Sequence, residues 1–129
     1  MVLAKSIIEE ILSANTDPGL LKGDIVRVLA IFKRLWSFEV IYEINSLRST
    51  LGEEPVRDRD VGKAIQELLS AGIVRGVGAK RTTFRGVIED MLLDLNIGPE
   101  EIELLSRDER MRRYMLKRHE AFESLIEKG

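Results

Sequence analysis

Residues 75–85, RGVGAKRTTFR, carry Arg75, Lys80, Arg81 and Arg85 without a single acid, and the segment just before them, RDRDVGKAIQ over 57–66, carries Arg57, Arg59, Lys63 and Gln66. Cationic groups flanked by hydroxyls, here Thr82 and Thr83, are donors suited to phosphate oxygens. Arginine and glutamine can also read base edges, Arg pairing bidentately with guanine and Gln with adenine, each worth about 1–3 kcal/mol of discrimination. Four such bases displacing counterions would give log affinity a salt slope of about −3 to −4 per protomer.

Other chemistry finds little to work with. The chain has one histidine, His119, and no cysteine. His119 stands in KRHEAF among charged neighbours, where an exposed imidazole is the ordinary outcome. Gly76 and Gly78 lack the third glycine of a dinucleotide fingerprint, and no phosphate loop followed by Lys-Ser/Thr is present. The acid pairs Glu53-Glu54 and Glu100-Glu101 adjoin turns or helix starts, where solvation and the helix dipole account for them. The expectation is therefore no catalytic residues, no metal site, no cofactor and no enzyme, and nothing in the sequence specifies a small-molecule effector.

At 129 residues the chain is long enough for one domain with a real core. Its net charge of −2 means that anion binding must come from a local patch rather than from bulk charge. Absence of cysteine suits a reducing compartment. Glu9 and Glu10 interrupt any signal-peptide centre, and the apolar run Val28–Phe32 is far short of a membrane span. A cytoplasmic protein with no membrane partner is expected. One charged residue in three, a single glutamine and more arginine than lysine is also a thermophile-like balance.

The elements that must position these side chains follow from periodicity. Residues 2–12 repeat apolar positions at helical spacing until NTDPG stops them. A second helix is expected from Asp24, as N-cap, to Trp36, with Arg27, Lys33 and Arg34 off its apolar stripe. A third runs from Ser37, as cap, to Gly52, and a fourth from Asp58, as cap, to Gly72. IVRGV, GAK and RTTFRGV then read as strand, turn and strand. The rival is a helix capped by Thr82 or Thr83, because Phe84, Val87, Ile88, Met91, Leu92 and Leu95 also fit a helical stripe. Pro99 opens a terminal helical region, with a break over 106–110 where Ser106 and Glu109 could form a capping box.

The order helix, helix, helix, hairpin, with RDVGKAIQELLSAGIVRG over 59–76, resembles a winged helix-turn-helix domain of MarR/PadR-like transcriptional regulators of prokaryotic type, archaeal ones included. The resemblance implies a mainly α fold, a three-helix core plus a short β-hairpin wing, with flanking N- and C-terminal helices. It implies that Arg59, Lys63 and Gln66 face the major groove, that Lys80 and Arg81 sit at the wing tip, and that terminal helices form a dimer. The wing lacks the acidic-arginine tip common in the MarR group, and the connection from Thr50 to Asp58 is longer than a tight turn.

The expected division is 1–22 for an N-terminal helix and turn, 23–87 for the DNA-binding core and 88–129 for a C-terminal helical dimerisation region. The expected function is sequence-specific binding of double-stranded DNA as a homodimeric transcriptional regulator, through Arg57, Arg59, Lys63, Gln66, Arg75, Lys80, Arg81, Thr82, Thr83 and Arg85. The dimer would use Leu3, Ile7, Ile11, Met111, Tyr114, Met115, Phe122, Leu125 and Ile126. The alternative is a protein–protein interaction module in a replication or transcription assembly that reads no DNA directly.

Overall fold

The structure, a computed structural model, describes the backbone of residues 2–128 and the side chains of residues 6–87 and 89–127. In chain order the described residues form α1 (Val2–Ser13), α2 (Gly19–Phe32), β1 (Arg34–Trp36), α3 (Ser37–Thr50), α4 (Asp58–Ser70), β2 (Val74–Thr83), β3 (Gly86–Leu95), α5 (Pro99–Ser106) and α6 (Glu109–Lys128). The chain is mainly helical, with a small antiparallel sheet of order β1-β3-β2.

α2 is the central element. Residues Ile25, Val26, Val28 and Leu29 are buried on consecutive turns, and α1, α3, α4 and the sheet pack around them. A helix buried on every side, as α2 is from Gly23 to Leu29, is one that lies inside. It begins at Gly19, five residues before the expected cap. Asp24 is instead fully buried in mid-helix, where it accepts hydrogen bonds from Arg27 (2.9 Å), Arg48 (3.1 Å) and Arg110 (2.7 Å). Arg27, expected to point outward, is buried as well, and its Nε donates to Asp108 at 2.7 Å. A charge can be buried when it is paired and hydrogen-bonded, and a hydropathy stripe does not register pairing.

The second helix also stops earlier than its stripe implies. Lys33 adopts a left-handed φ of 72°, and Arg34–Trp36 become a strand paired with Asp94–Leu92. Three residues can satisfy a helical period and a strand alternation at once, so only the partner strand decides. Ser37 begins α3 without capping it: its hydroxyl donates to Asp90, while the Trp36 amide is held by Glu39 at 2.9 Å.

α4 ends as expected. Gly72 takes φ 76°, and the amides of Gly72 and Ile73 return to the carbonyls of Leu69 and Leu68 at 3.1 Å each, closing the carbonyl end of the helix. Its start differs slightly: Arg57 is the capping position and Asp58 the first helical residue.

The hairpin is real but longer than read, and the helical rival for 84–95 is overturned. Every residue from Val74 to Thr83 pairs with one from Leu95 back to Gly86, which leaves Phe84 and Arg85 as the two-residue turn. GAK is mid-strand. β3 crosses residue 87, the expected boundary between core and C-terminal region, and Leu93 on it is wholly buried. The expected break near 106–110 is present, but Asp108 rather than Ser106 caps α6, accepting the Met111 amide at 2.8 Å.

Candidate nucleic-acid interface

α4 separates its two faces cleanly. Val61, Ala64, Ile65 and Leu68 are buried against α2 and α3, while Arg59, Lys63, Gln66 and Ser70 recur at spacings of four, three and four on the opposite, exposed side. Gly62 lies on that side with no atom within 4 Å of where a Cβ would stand. The surface is thus low at Gly62, with Arg59, Lys63 and Gln66 raised around it. The connection before α4 is fixed by Asn45, whose Oδ1 accepts the Val56 amide at 2.9 Å.

Two of the acids near this stripe are paired, while Asp58 on the first turn is exposed. Glu67 makes an ion pair with Lys22 of α2, and that hydrogen bond holds its carboxyl below the ordinary value. Asp60 pairs with Arg57 at 3.2 Å on the exposed first turn.

The pleat divides the hairpin cations between two faces. Directly opposed residues of an antiparallel pair share a face and alternate residues change it. Gly76 sits on the helix side, since a Cβ there would overlap Met91 and approach Leu69 of α4. Gly78, Lys80 and Thr82 share that side by alternation, whereas Arg75, Val77 and Arg81 lie on the reverse.

The reverse-side arginines are already held. Arg75 donates to Asp94 at 3.1 Å, and Arg81 donates to Asp90 at 2.9 Å while stacking 3.9 Å over the Phe38 ring. Burial works to raise Asp90, and bonds from Ser37, the Met91 amide and Arg81 more than offset it, so its carboxyl lies below the ordinary value.

Lys80 and Arg81 are therefore not the tip of the hairpin, contrary to expectation, and Arg81 does not share a surface with Lys63 and Gln66. The tip is Phe84, which is 96% exposed, with Arg85 lying 5.7 Å over its ring. Thr83 is also reassigned: its Oγ1 donates to the Gly86 carbonyl at 2.8 Å and accepts the Arg85 amide at 3.1 Å, so it serves the turn itself. Phe84, expected in the second strand or, in the rival reading, on a helical stripe, stands instead in the turn. A two-residue turn between Thr83 and Gly86 was the available signal.

The expected dimer set also divides. Tyr114 is fully buried in its own chain, 3.3 Å from the Ser46 hydroxyl, and Ile11 is buried. Ile7 and Met111 are half-buried against the same core. These four serve the fold of one chain, because the period that would build an interface also builds a core. Leu3 lies outside the described side chains. Met115, Phe122, Leu125 and Ile126 are exposed.

Among the described residues no cluster of His, Cys, Asp or Glu could hold a metal ion, and no helix is long and apolar enough to cross a membrane. An apolar cleft of about 480 Å³ opens between Leu29, Leu95, Ile97, Ile102 and Met111, rimmed by Lys33 and Arg34. His119 is exposed and lies 3.0 Å from Glu123.

No family model matches the chain, and no curated protein matches its sequence. Among solved structures, a transcriptional regulator from Clostridium thermocellum is similar at a TM-score of 0.46 and 15% identity, over 88% of this chain and 96% of that one.

Proposed function

We propose that this chain is a winged-helix protein that binds double-stranded DNA sequence-specifically as a homodimeric transcriptional regulator. α3 and α4 act as the helix-turn-helix pair, α4 as the reading helix, and β2–β3 as the wing. The observation that carries the reading is the outward row Arg59, Lys63 and Gln66 on α4, with Glu67 tied back to Lys22 beside it. A helix fixed by one apolar face and presenting Arg, Lys and Gln on the other has the donors that major-groove recognition needs.

The wing supplies backbone contacts from Lys80, Thr82 and Arg85, the members whose side chains are neither paired with a β3 aspartate nor bonded within the turn. Phe84 at the tip lies where an apolar side chain reaches the sugar and base edges of the minor groove. The C-terminal helix supplies the second copy, so that two reading helices meet two half-sites.

Fluorescence anisotropy with DNA selected from a random pool tests this. The expected site is palindromic. Lys63→Ala with Gln66→Ala weakens the selected site more than random DNA, by about tenfold or more, as loss of base contacts requires. With Arg59, Lys63, Lys80 and Arg85 as the free cations, the salt slope is about −3 to −4 per protomer. Absence of binding at low salt overturns the proposal.

One observation favours the protein–protein reading. On the reverse of the sheet Trp36, Leu92 and Val77 stand level across three strands, and Val77 is exposed. DNA-free capture through that face, lost on Val77→Lys, would replace the DNA reading.

A further inference from the structure

The second half of α6 is exposed to solvent, although the Arg118 guanidinium lies 5.0 Å over the Phe32 ring of α2. Every residue from Met115 to Glu127 is exposed, including Phe122 at 62% and Leu125 at 70%. At 1.5 Å per residue this is a rod roughly 20 Å long, and an isolated helix of that length is marginal in water. Met115, His119, Phe122 and Ile126 follow one another at four, three and four residues, the spacing of a seam that packs against another helix.

The charge on this rod is segregated along its length. Arg112, Arg113, Lys117 and Arg118 precede the seam's midpoint, and Glu120, Glu123 and Glu127 follow it. All seven are exposed, and Arg112 also faces Glu109 at 3.8 Å. Arg110 is excluded, because Asp24 and Glu53 hold it in the body of the protein.

We infer that α6 pairs with α6 of a second copy in antiparallel orientation, Met115 packing against Ile126 and His119 against Phe122, with the basic half of each helix alongside the acidic half of the other. The occupant follows from complementarity. A parallel pair would set Arg112, Arg113 and Lys117 against their own copies and the three glutamates against theirs, and like charges held together are unfavourable. An antiparallel pair inverts both repulsions, and the two-fold axis it needs falls between residues 120 and 121. A closed, isologous contact results, which limits assembly to two chains. The inference rests on the homodimer of the proposed function and not on its DNA ligand.

Pulsed electron resonance on spin labels tests it directly. The chain has no cysteine, so Ala121→Cys and Arg113→Cys each accept a single label. Labels at 121 lie beside the axis and are separated by about the helix spacing, roughly 10 Å between axes plus the label arms. Labels at 113 are separated by a further ~20 Å along the helices. The expected result is a clearly longer distance at 113 than at 121. Equal distances at both sites, the signature of parallel helices, overturn the inference, and so does absence of coupling at either site.

A second variant, Glu120→Lys with Glu123→Lys and Glu127→Lys, leaves the buried core untouched. By sedimentation it should self-associate at least tenfold more weakly at low salt; unchanged association overturns the role of charge. Because neither measurement contains DNA, loss of DNA binding with the distance pattern intact would remove the DNA ligand and leave the dimer standing.

Discussion

Asp24 is the residue on which most of the helical body converges. It is fully buried, and three guanidiniums from α2, α3 and α6 donate to its two oxygens. Each arginine has a second acceptor: Arg27 reaches Asp108, Arg48 reaches Asp17 and Arg110 reaches Glu53. Burial pulls the Arg110 guanidinium down, and its bonds to Glu53 and Asp24 overcome this, holding it above its ordinary value. Removing one member of a buried ion cluster leaves the others uncompensated, typically at about 3–5 kcal/mol. Asp24→Asn, which keeps the shape and removes the charge, is therefore expected to lower unfolding stability by about 3–5 kcal/mol in chemical denaturation. A loss below about 1 kcal/mol would show that the surrounding arginines reach water. Nothing in the sequence marked this cluster, because directly bonded members lie up to 86 positions apart and a lone aspartate before an apolar stripe reads as a helix cap.

At the scale of elements, the helices were legible and the strands only in part. Val61, Ala64, Ile65 and Leu68 announce α4 by spacing alone, and Gly72 announces its end, so the outward row Arg59, Lys63 and Gln66 could be read before any fold was known. The hairpin could be foreseen only loosely: the β-branched residues Ile73, Val74 and Val77 pointed to a strand, but its register depends on β3, whose residues also fit a helical stripe. Register then decides which cations share a surface, since shifting it by one residue exchanges the two faces.

Mutation can separate the two faces of the hairpin. Lys80→Glu with Arg85→Glu changes the helix-side edge and tip of the proposed wing, while Arg75→Gln with Arg81→Gln changes the reverse, where Asp94 and Asp90 already hold the arginines. The first pair is expected to reduce DNA affinity by about tenfold or more at low salt, with almost no change in folding stability. The second should leave affinity within about threefold. Equal losses in anisotropy titrations would mean that both faces of the hairpin meet DNA and that the proposed pose is wrong.

For the whole molecule, the ion cluster adds to the buried Tyr114 in binding α6 to α2 and α3 before α6 leaves the body. Glu53, just beyond the α3 terminus, and Asp17, in the connection between α1 and α2, complete it. The hydrogen bond from Arg110 holds Glu53 below its ordinary value, and the bond from Arg48 does the same for Asp17. A carboxyl whose folded value is depressed adds stability that is complete above its unfolded value, near about pH 4, and disappears as the pH falls through the folded value. The body should therefore keep its stability down to about pH 5 and lose it progressively below about pH 4. Trp36, the single tryptophan, sits at the junction of β1 and α3 and reports on the body by its fluorescence. Asp17→Asn with Glu53→Gln should lower stability at about pH 7 and flatten its dependence on pH below about 5, because the mutated groups no longer take up protons on unfolding. An acid transition of the same steepness in wild type and double variant would place the titrating groups elsewhere and deprive these two carboxylates of that role.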